Sequence, residues 1–192
     1  MTTQLTETAK QLIPKARIVS FKTWTEVLPT EIIQLFQTAD DESRYFTESD
    51  LELLKTSSVV PIFAIEAASL LGEYAAEIVD EAREKVLATY PNITAEGGDL
   101  YPPVRAEACW RDFWHFLRCI TYGIAGNNTE FTSQEGLHYM NLLYQELLVP
   151  LSAMVCGLEA IKTASLKRFS SEQQTELAPY FDHLVARLKE FS

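Results

Sequence analysis

The sequence predicts an all-α protein, because apolar residues recur at helical spacing along most of the chain. Capping signals precede several of these segments, whereas strict alternation of apolar and polar residues is absent over any useful length. With 192 residues, 47% of them hydrophobic, the chain is long enough to bury a substantial core. Helices of these lengths are compatible with either bundle or globin-like packing, and the pattern alone does not choose between the two.

The first half of the chain predicts three helical segments. The first begins at Pro29, a residue that is tolerated in the first turn of a helix. Its apolar side comprises Ile32, Ile33, Leu35 and Phe36. Thr47 and Asp50 form a capping box before the second helix. The third segment covers residues 61–90, and a break near Gly72 would divide it into two helices.

The second half begins with a loop and the longest predicted helix. Residues 91–103 are rich in Gly and Pro, which favours a loop. A long helix then covers residues 104–126, and aromatic side chains are unusually frequent on it. Such side chains would suit contacts with a conjugated ligand, although aromatic residues on a buried helix more often belong to the core.

Three further helices complete the chain. Thr132 with Glu135 indicates a cap for the first of these, which ends before Pro150. The next covers residues 150–168. The last opens at the serine pair 170–171, and we expect a kink at Pro179 because proline interrupts the hydrogen bonds of a helix.

Composition and charge exclude several classes of protein. The net charge is −11, from 27 acidic and 16 basic residues, and no basic cluster is available to bind a nucleic acid. There is no apolar signal core and no apolar run of membrane-spanning length, so we expect a soluble, cytoplasmic protein without membrane insertion. The three cysteines are an odd number, which argues against a disulfide framework. No Ser-His-Asp set, phosphate-binding loop or dinucleotide fingerprint occurs, and we expect a protein that is not an enzyme.

Three reactive side chains lie close together on the long helix. Cys109 and Asp112 are three residues apart and therefore share a helical face, while Arg111 lies about 100° further round from Asp112. A thiol can bond covalently to a ligand, a carboxylate can accept hydrogen bonds from its N–H groups, and a guanidinium can pair with its acidic side arms. This combination is suited to holding a linear tetrapyrrole.

The Cys-Trp-Arg-Asp run at 109–112 resembles the bilin-carrying Cys-x-Arg-Asp motif of the phycobiliproteins, and among them the chain most closely resembles the allophycocyanin-like subunits. Further similarity runs from Ala39 to the C-terminus. It includes the Ala-Asp-Asp-Glu-Ser-Arg-Tyr-Phe segment at 39–46, the Gly-Gly-containing loop at 91–101, Tyr-Gly-Ile at 122–124 and Ala-Pro-Tyr-Phe-Asp at 178–182. The longer N-terminus and the loss of both tyrosines after Asp112 indicate a divergent member.

The resemblance implies a globin-like domain over residues 39–192, preceded by a helical extension over residues 1–38. In the family, N-terminal helices pair subunits, so we expect a homodimer or a pair with a related phycobiliprotein subunit. The apolar side chains that would form this interface are Trp24, Val27, Leu28, Ile32, Ile33, Leu35 and Phe36. The alternative is that these side chains fold back onto the core of their own chain.

The resemblance also implies the cofactor, a linear tetrapyrrole bilin of the phycocyanobilin type joined by a thioether to Cys109. Asp112 would accept hydrogen bonds from the inner pyrrole nitrogens, and Arg111 would bind a propionate. Arg105, one helical turn before Cys109, would contact the other propionate. Both arginines would favour the thiolate form of Cys109.

Four residues of lower rank complete the expected site. His115 and Phe116 stand where the family has tyrosines beside the pigment, and Tyr101 stands where it has a tyrosine that lines the pocket. Tyr122 is expected to contact the conjugated ligand. No metal site is expected, because His115 and Cys119 have no third ligand nearby.

Four of these residues have a simpler interpretation. Cys109 could be a buried structural thiol, while Asp112 and Arg111 could be ordinary surface charges. His115 could be a packed core residue, and it is also the best iron ligand if the protein were a haem globin.

The function that follows is a bilin-binding protein that serves light harvesting or energy transfer as a phycobilisome component, at the thylakoid surface if it is attached there. The alternative is a bilin carrier or regulatory globin linked to bilin synthesis, phycobilisome assembly or turnover. A haem-binding or sensor globin comes third.

Overall fold

The computed structural model describes residues 5–192, and this span is almost entirely helical. Its nine α-helices are α1 Glu7–Leu12, α2 Thr30–Asp41, α3 Glu48–Ser57, α4 Ile62–Glu73, α5 Ala75–Thr89, α6 Pro103–Ala125, α7 Gln134–Glu146, α8 Leu151–Leu166 and α9 Ser171–Lys189. Two short 3₁₀ helices, Ile13–Lys15 and Lys22–Glu26, lie between α1 and α2. Across residues 5–192 the backbone forms no strand, only an isolated antiparallel bridge between Val19 and Thr132. The all-α prediction is confirmed, and the fold is that of the globin-like α-helical class.

Local signals in the sequence located most helix boundaries. The capping box before α3 is present, since the Thr47 hydroxyl accepts a hydrogen bond from the Asp50 N–H and the Asp50 carboxylate accepts one from the Thr47 N–H. The break predicted near Gly72 occurs at Tyr74, which separates α4 from α5. Ser170 caps α9, and this helix continues through Pro179.

The predicted cap of α7 was displaced by one residue. Ser133, not Thr132, accepts a hydrogen bond from the Gly136 N–H at the start of the helix. Thr132 is instead drawn into the bridge with Val19, and its hydroxyl lies 2.8 Å from His183 Nε2. The helix ends at Glu146, earlier than the expected end before Pro150.

The core surrounds α6, which packs against α4, α5, α8 and α9. Its second half is buried on all sides, from Phe116 to Ala125. The contact with α8 requires a glycine, because a Cβ atom at Gly157 would lie 2.0 Å from the ring of Phe113. This close approach packs the first half of α6 tightly against α8.

Residues 5–28, which we call the N-terminal segment, fold back against the rest of the chain. Trp24 is fully buried, and its ring contacts those of Phe21 and Phe36 at centroid distances of 4.9 and 5.0 Å. Of the seven apolar residues expected to form a subunit interface, five are buried in this chain's own core: Trp24, Leu28, Ile32, Leu35 and Phe36. These five are not available to a partner, so the expected interface is corrected to a core contact, because folding back removes them from water within one chain.

The boundary predicted after residue 38 stays a prediction, and residues 1–4 of that extension lie outside the described residues. The N-terminal segment is tied to α7 at several points. The Ser133 N–H donates to the Ile18 carbonyl, and α1 packs along α7.

Among residues 5–192, no helix is long and apolar enough to cross a membrane.

Candidate functional site

A cavity of about 700 Å³ opens between the N-terminal segment, α6 and α7. The first half of α6 forms one wall, and Met140, Leu143 and Tyr144 of α7 form the opposite one. Leu5, Ile13 and residues 16–18 cover it from the N-terminal side. This volume lies within the range of cavities that hold cofactors and other small molecules.

Six of the eight predicted site residues line this one cavity: Arg105, Cys109, Arg111, Asp112, His115 and Phe116. All six lie on α6, and helical periodicity brings them to one side. Within three turns, α6 thus contributes a thiol, a carboxylate, an imidazole and two guanidinium groups to the cavity wall.

The other two predicted residues, Tyr101 and Tyr122, do not line this cavity. Tyr122 is fully buried, with its ring 5.1 Å from that of Phe46, and its hydroxyl donates a hydrogen bond to the Arg44 carbonyl. It lies on the part of α6 that is enclosed by the core. Tyr101 is 44% exposed and precedes α6 in the loop.

Burial dominates the acid–base behaviour of Cys109, whose side chain is only 4% exposed. The pKa of its thiol is raised to about 12, chiefly by the loss of hydration and also by the charge of Asp112, while Arg105 offsets this shift only in part. Arg105 acts in the expected direction, towards the thiolate, but its effect is smaller than that of burial. Desolvation outweighs the positive charges.

Asp112 has a partner on the opposite wall. The Tyr144 hydroxyl donates a 2.8 Å hydrogen bond to Asp112 Oδ2. Burial raises the pKa of Asp112 to about 6, against the opposing effects of this hydrogen bond and of the charge on Arg111. At neutral pH Asp112 is thus mainly a carboxylate that can accept hydrogen bonds.

The two predicted arginines differ in how they are engaged. Arg105 donates to the carbonyl oxygens of Asp99 at 3.0 Å and Leu148 at 2.9 Å, so it ties the loop before α6 to the connection after α7. Arg111 is exposed and makes no hydrogen bond or ion pair with any residue between 5 and 192. Among the arginines that line the cavity in the described part of the chain, Arg111 is therefore the one whose guanidinium is available to an acidic ligand.

A buried ion network forms the inner end of the cavity. Asp40 is 5% exposed and accepts hydrogen bonds from Arg118 at 2.9 Å and from Arg17 at 2.5 Å. Arg118 also donates from its Nε to Nδ1 of His115, at 3.3 Å. The network links α2, α6 and the N-terminal segment, and it fixes the orientation of the His115 ring.

Four cavity residues that bond to the predicted ones or to one another were not predicted: Arg17, Asp40, Arg118 and Tyr144. Arg118 was within reach of sequence reasoning, because it follows His115 by three residues and so shares its helical face. The partners Tyr144 and Asp40 come from other helices, and no local pattern in the sequence indicates their contacts with α6.

The family model and the individual relatives that match this chain agree with one another. A family model described as phycobilisome protein matches residues 34–188. The allophycocyanin subunit alpha-B of Synechocystis sp. is 32% identical over 154 residues, which cover 80% of this chain and 96% of that protein. The corresponding subunit of Nostoc sp. is 33% identical over 81% of this chain and 97% of its own length. The allophycocyanin alpha-B chain of Cyanophora paradoxa is 29% identical over 80% of this chain and 95% of its own.

Proposed function

The chain belongs to the phycobilisome protein family, and we propose that it is a bilin-binding light-harvesting subunit whose pigment occupies the α6 cavity. The observation that carries this proposal is that Cys109, Arg111 and Asp112 line the same cavity. The haem alternative has less support, because iron ligation by His115 would give no role to the thiol of Cys109 or the carboxylate of Asp112 in the same cavity wall. No observation specifically supports the alternative of a bilin carrier or regulatory globin.

We assign the thioether linkage to Cys109. Of the three cysteines, Cys119 is fully buried in the core, and Cys156 lies on α8, outside the cavity wall. Because burial raises the pKa of Cys109 to about 12, the closed cavity holds a thiol and not a thiolate. Attachment therefore requires that the cavity opens or that another protein assists it.

Asp112 is the proposed acceptor for the inner pyrrole N–H groups. It lies one helical turn from Cys109, so a pigment bonded to the thiol has its central part within reach of the carboxylate. The Tyr144 hydroxyl donates to the same carboxylate. Bilin binding then exchanges one hydrogen bond to Asp112 for others and does not create an unpaired buried charge.

The proposed cofactor is a bilin of the phycocyanobilin type, and the proposed partners are related phycobiliprotein subunits of a phycobilisome. A homodimer is the simplest form of such association. The buried residues Trp24 and Phe36 cannot contribute to either interface without leaving the core.

The test is a visible spectrum of the protein purified from bilin-producing cells, followed by zinc-induced fluorescence after denaturation. The proposal requires long-wavelength absorption and a pigment that stays on the chain when it is unfolded. A blue-shifted, broadened band in Asp112→Ala would support its role at the pyrroles. A Soret band would indicate haem, and a colourless protein would indicate the carrier or regulatory alternative.

A further inference from the structure

Arg111 and His115 lie one helical turn apart on α6, and both line the cavity. We propose that they form a carboxylate clamp, in which Arg111 supplies the charge and His115 donates its Nε2–H to a propionate of the bilin. This inference rests on the proposed function and adds a residue to it that the Cys-x-Arg-Asp motif does not contain.

The hydrogen bond from Arg118 determines which nitrogen of His115 carries the proton. A guanidinium can only donate, so Nδ1 of His115, which lies 3.3 Å from Arg118 Nε, must accept with its lone pair. Burial, together with the charges of Arg118 and Arg111, lowers the pKa of His115 to about 4, so the ring is neutral at physiological pH. A neutral ring whose Nδ1 accepts carries its proton on Nε2.

The Nε2–H of His115 is available to a ligand. Between residues 5 and 192 this atom has no hydrogen-bond partner, whereas the opposite side of the ring is held by Arg118. Arg118 is itself held by Asp40, so rotation of the ring would break a buried network. Arg118 is thus a positioning residue, and His115 is the group that would touch the ligand.

The charges around the cavity favour a carboxylate as the acceptor. Four guanidinium groups line it, and three are already engaged: Arg17 and Arg118 by Asp40, and Arg105 by two backbone carbonyls. Among the described residues of the cavity wall, Arg111 is the arginine without such a partner. Even Glu107, which is exposed and lies one turn before Arg111 on α6, makes no ion pair with Arg111. A carboxylate beside Arg111 would find the neutral donor of His115 one turn further along α6.

Binding of free biliverdin in a Cys109→Ala background tests the clamp without covalent attachment. Biliverdin carries two propionates, and its dimethyl ester serves as the matched probe without their charge. Two variants separate the roles of the ring: His115→Phe removes the donor, and His115→Gln can restore an N–H near the Nε2 position. We expect His115→Phe to weaken biliverdin binding by about ten- to a hundredfold, which is typical of a hydrogen bond to a charged group.

The affinities of the background protein and its two His115 variants for the two pigments decide between the possible outcomes. The proposal requires that His115→Gln recovers most of the affinity for biliverdin, and that the dimethyl ester binds equally to all three proteins. Equal biliverdin affinity in His115→Phe would overturn the clamp but leave the proposed function standing. An equal loss with the ester would assign the contact to a lactam carbonyl or to packing. Failure of the background protein to bind either pigment would overturn the clamp, whereas the bilin function fails only if the parent protein from bilin-producing cells also carries no pigment.

A second measurement follows the proton itself. Ring ¹⁵N spectra of the ligand-free protein, assigned with His115→Gln, should show His115 neutral and protonated on Nε2 at pH 7. His138 and His183 provide internal references in the same spectrum. A proton on Nδ1 would contradict the orientation by Arg118 and overturn the inference.

Discussion

The Tyr144 hydroxyl bonds to Asp112 across the cavity at 2.8 Å, and so joins α7 to the helix that carries the reactive side chains. The two residues are 32 positions apart in the chain. This contact partly compensates for the loss of hydration at Asp112. It engages the carboxylate that the pigment is proposed to use.

Replacement of Asp112 by Asn should make stability less dependent on pH. The pKa of Asp112 is raised to about 6 in the fold, above its ordinary value of 3.8, so protonation stabilises the folded state. This stabilisation is fully present below pH 3.8 and is lost as the pH rises through 6. We expect Asp112→Asn to be more stable than the parent by about 2 kcal/mol at pH 7.5, and by less at pH 5, in urea unfolding.

The exposed Asp80 provides the control, since Asp80→Asn should leave the stability of the ligand-free protein within about 0.5 kcal/mol at both pH values. An advantage of Asp112→Asn that is the same at pH 5 and pH 7.5 would contradict the raised pKa.

Replacement of Gly136 by Ala should loosen the cover of the cavity. A Cβ atom at this position would lie 1.9 Å from the Arg17 carbonyl oxygen, so α7 and the N-terminal segment must separate. We expect a loss of about 1–3 kcal/mol in the free energy of unfolding, as in other overpacked sites. Alkylation of Cys109 by iodoacetamide, followed by peptide mass spectrometry, should become faster.

Gln134→Ala, in the exposed first turn of the same helix, is the matched control and should not change the alkylation rate. If Cys109 in Gly136→Ala reacts no faster than in the parent, the N-terminal segment does not limit access to the thiol.

Removal of the Trp24 side chain should destabilise the whole chain. Its ring is fully buried against Phe21 and Phe36, and large-to-small substitutions at such sites cost about 3–5 kcal/mol. Val27→Ala is the control, because Val27 is 66% exposed and should change the free energy of unfolding by less than about 0.5 kcal/mol. Thermal unfolding followed by circular dichroism measures both.

The same contacts predict that deletion of residues 1–38 removes cooperative unfolding, since Phe36 and Trp24 both lie in the core. A truncated protein that keeps its helical content and a sharp transition would show instead that the extension is a separable unit.

The ion network beneath the cavity should depend on one carboxylate. Asp40 is buried and faces both Arg17 and Arg118, so Asp40→Asn leaves a buried guanidinium without its counter-charge and should cost about 3–5 kcal/mol. Asp41→Asn removes a neighbouring carboxylate that also binds Arg17, but at the surface, and should cost less than about 1 kcal/mol. Similar losses in the two variants, measured by urea unfolding, would contradict a special role for the buried pair.

Local sequence patterns were sufficient to place most of the helices and the central part of the site. Cys109 and Asp112 share a face because they are three residues apart, and the capping signals at Thr47 and Ser170 depend on residues within the next turn. Interactions of this range can be derived from spacing alone.

Contacts between distant parts of the chain determine the features of the site that local sequence patterns did not predict. The Tyr144 and Asp40 contacts with α6 depend on how three helices pack, and the high pKa of Cys109 depends on how completely the fold buries it. Thr132 lost the capping role to its neighbour because it pairs with Val19, far away in the chain. Tyr122 has the spacing of a site residue, yet the core encloses that part of α6.

The most direct test of the account is peptide mass spectrometry of the protein purified from bilin-producing cells. The account predicts a bilin adduct on the peptide that contains Cys109, its loss in Cys109→Ala, and its retention in Cys119→Ala and Cys156→Ser. Pigment that remains covalently bound in Cys109→Ala, or an adduct on Cys119 or Cys156, would contradict the assignment.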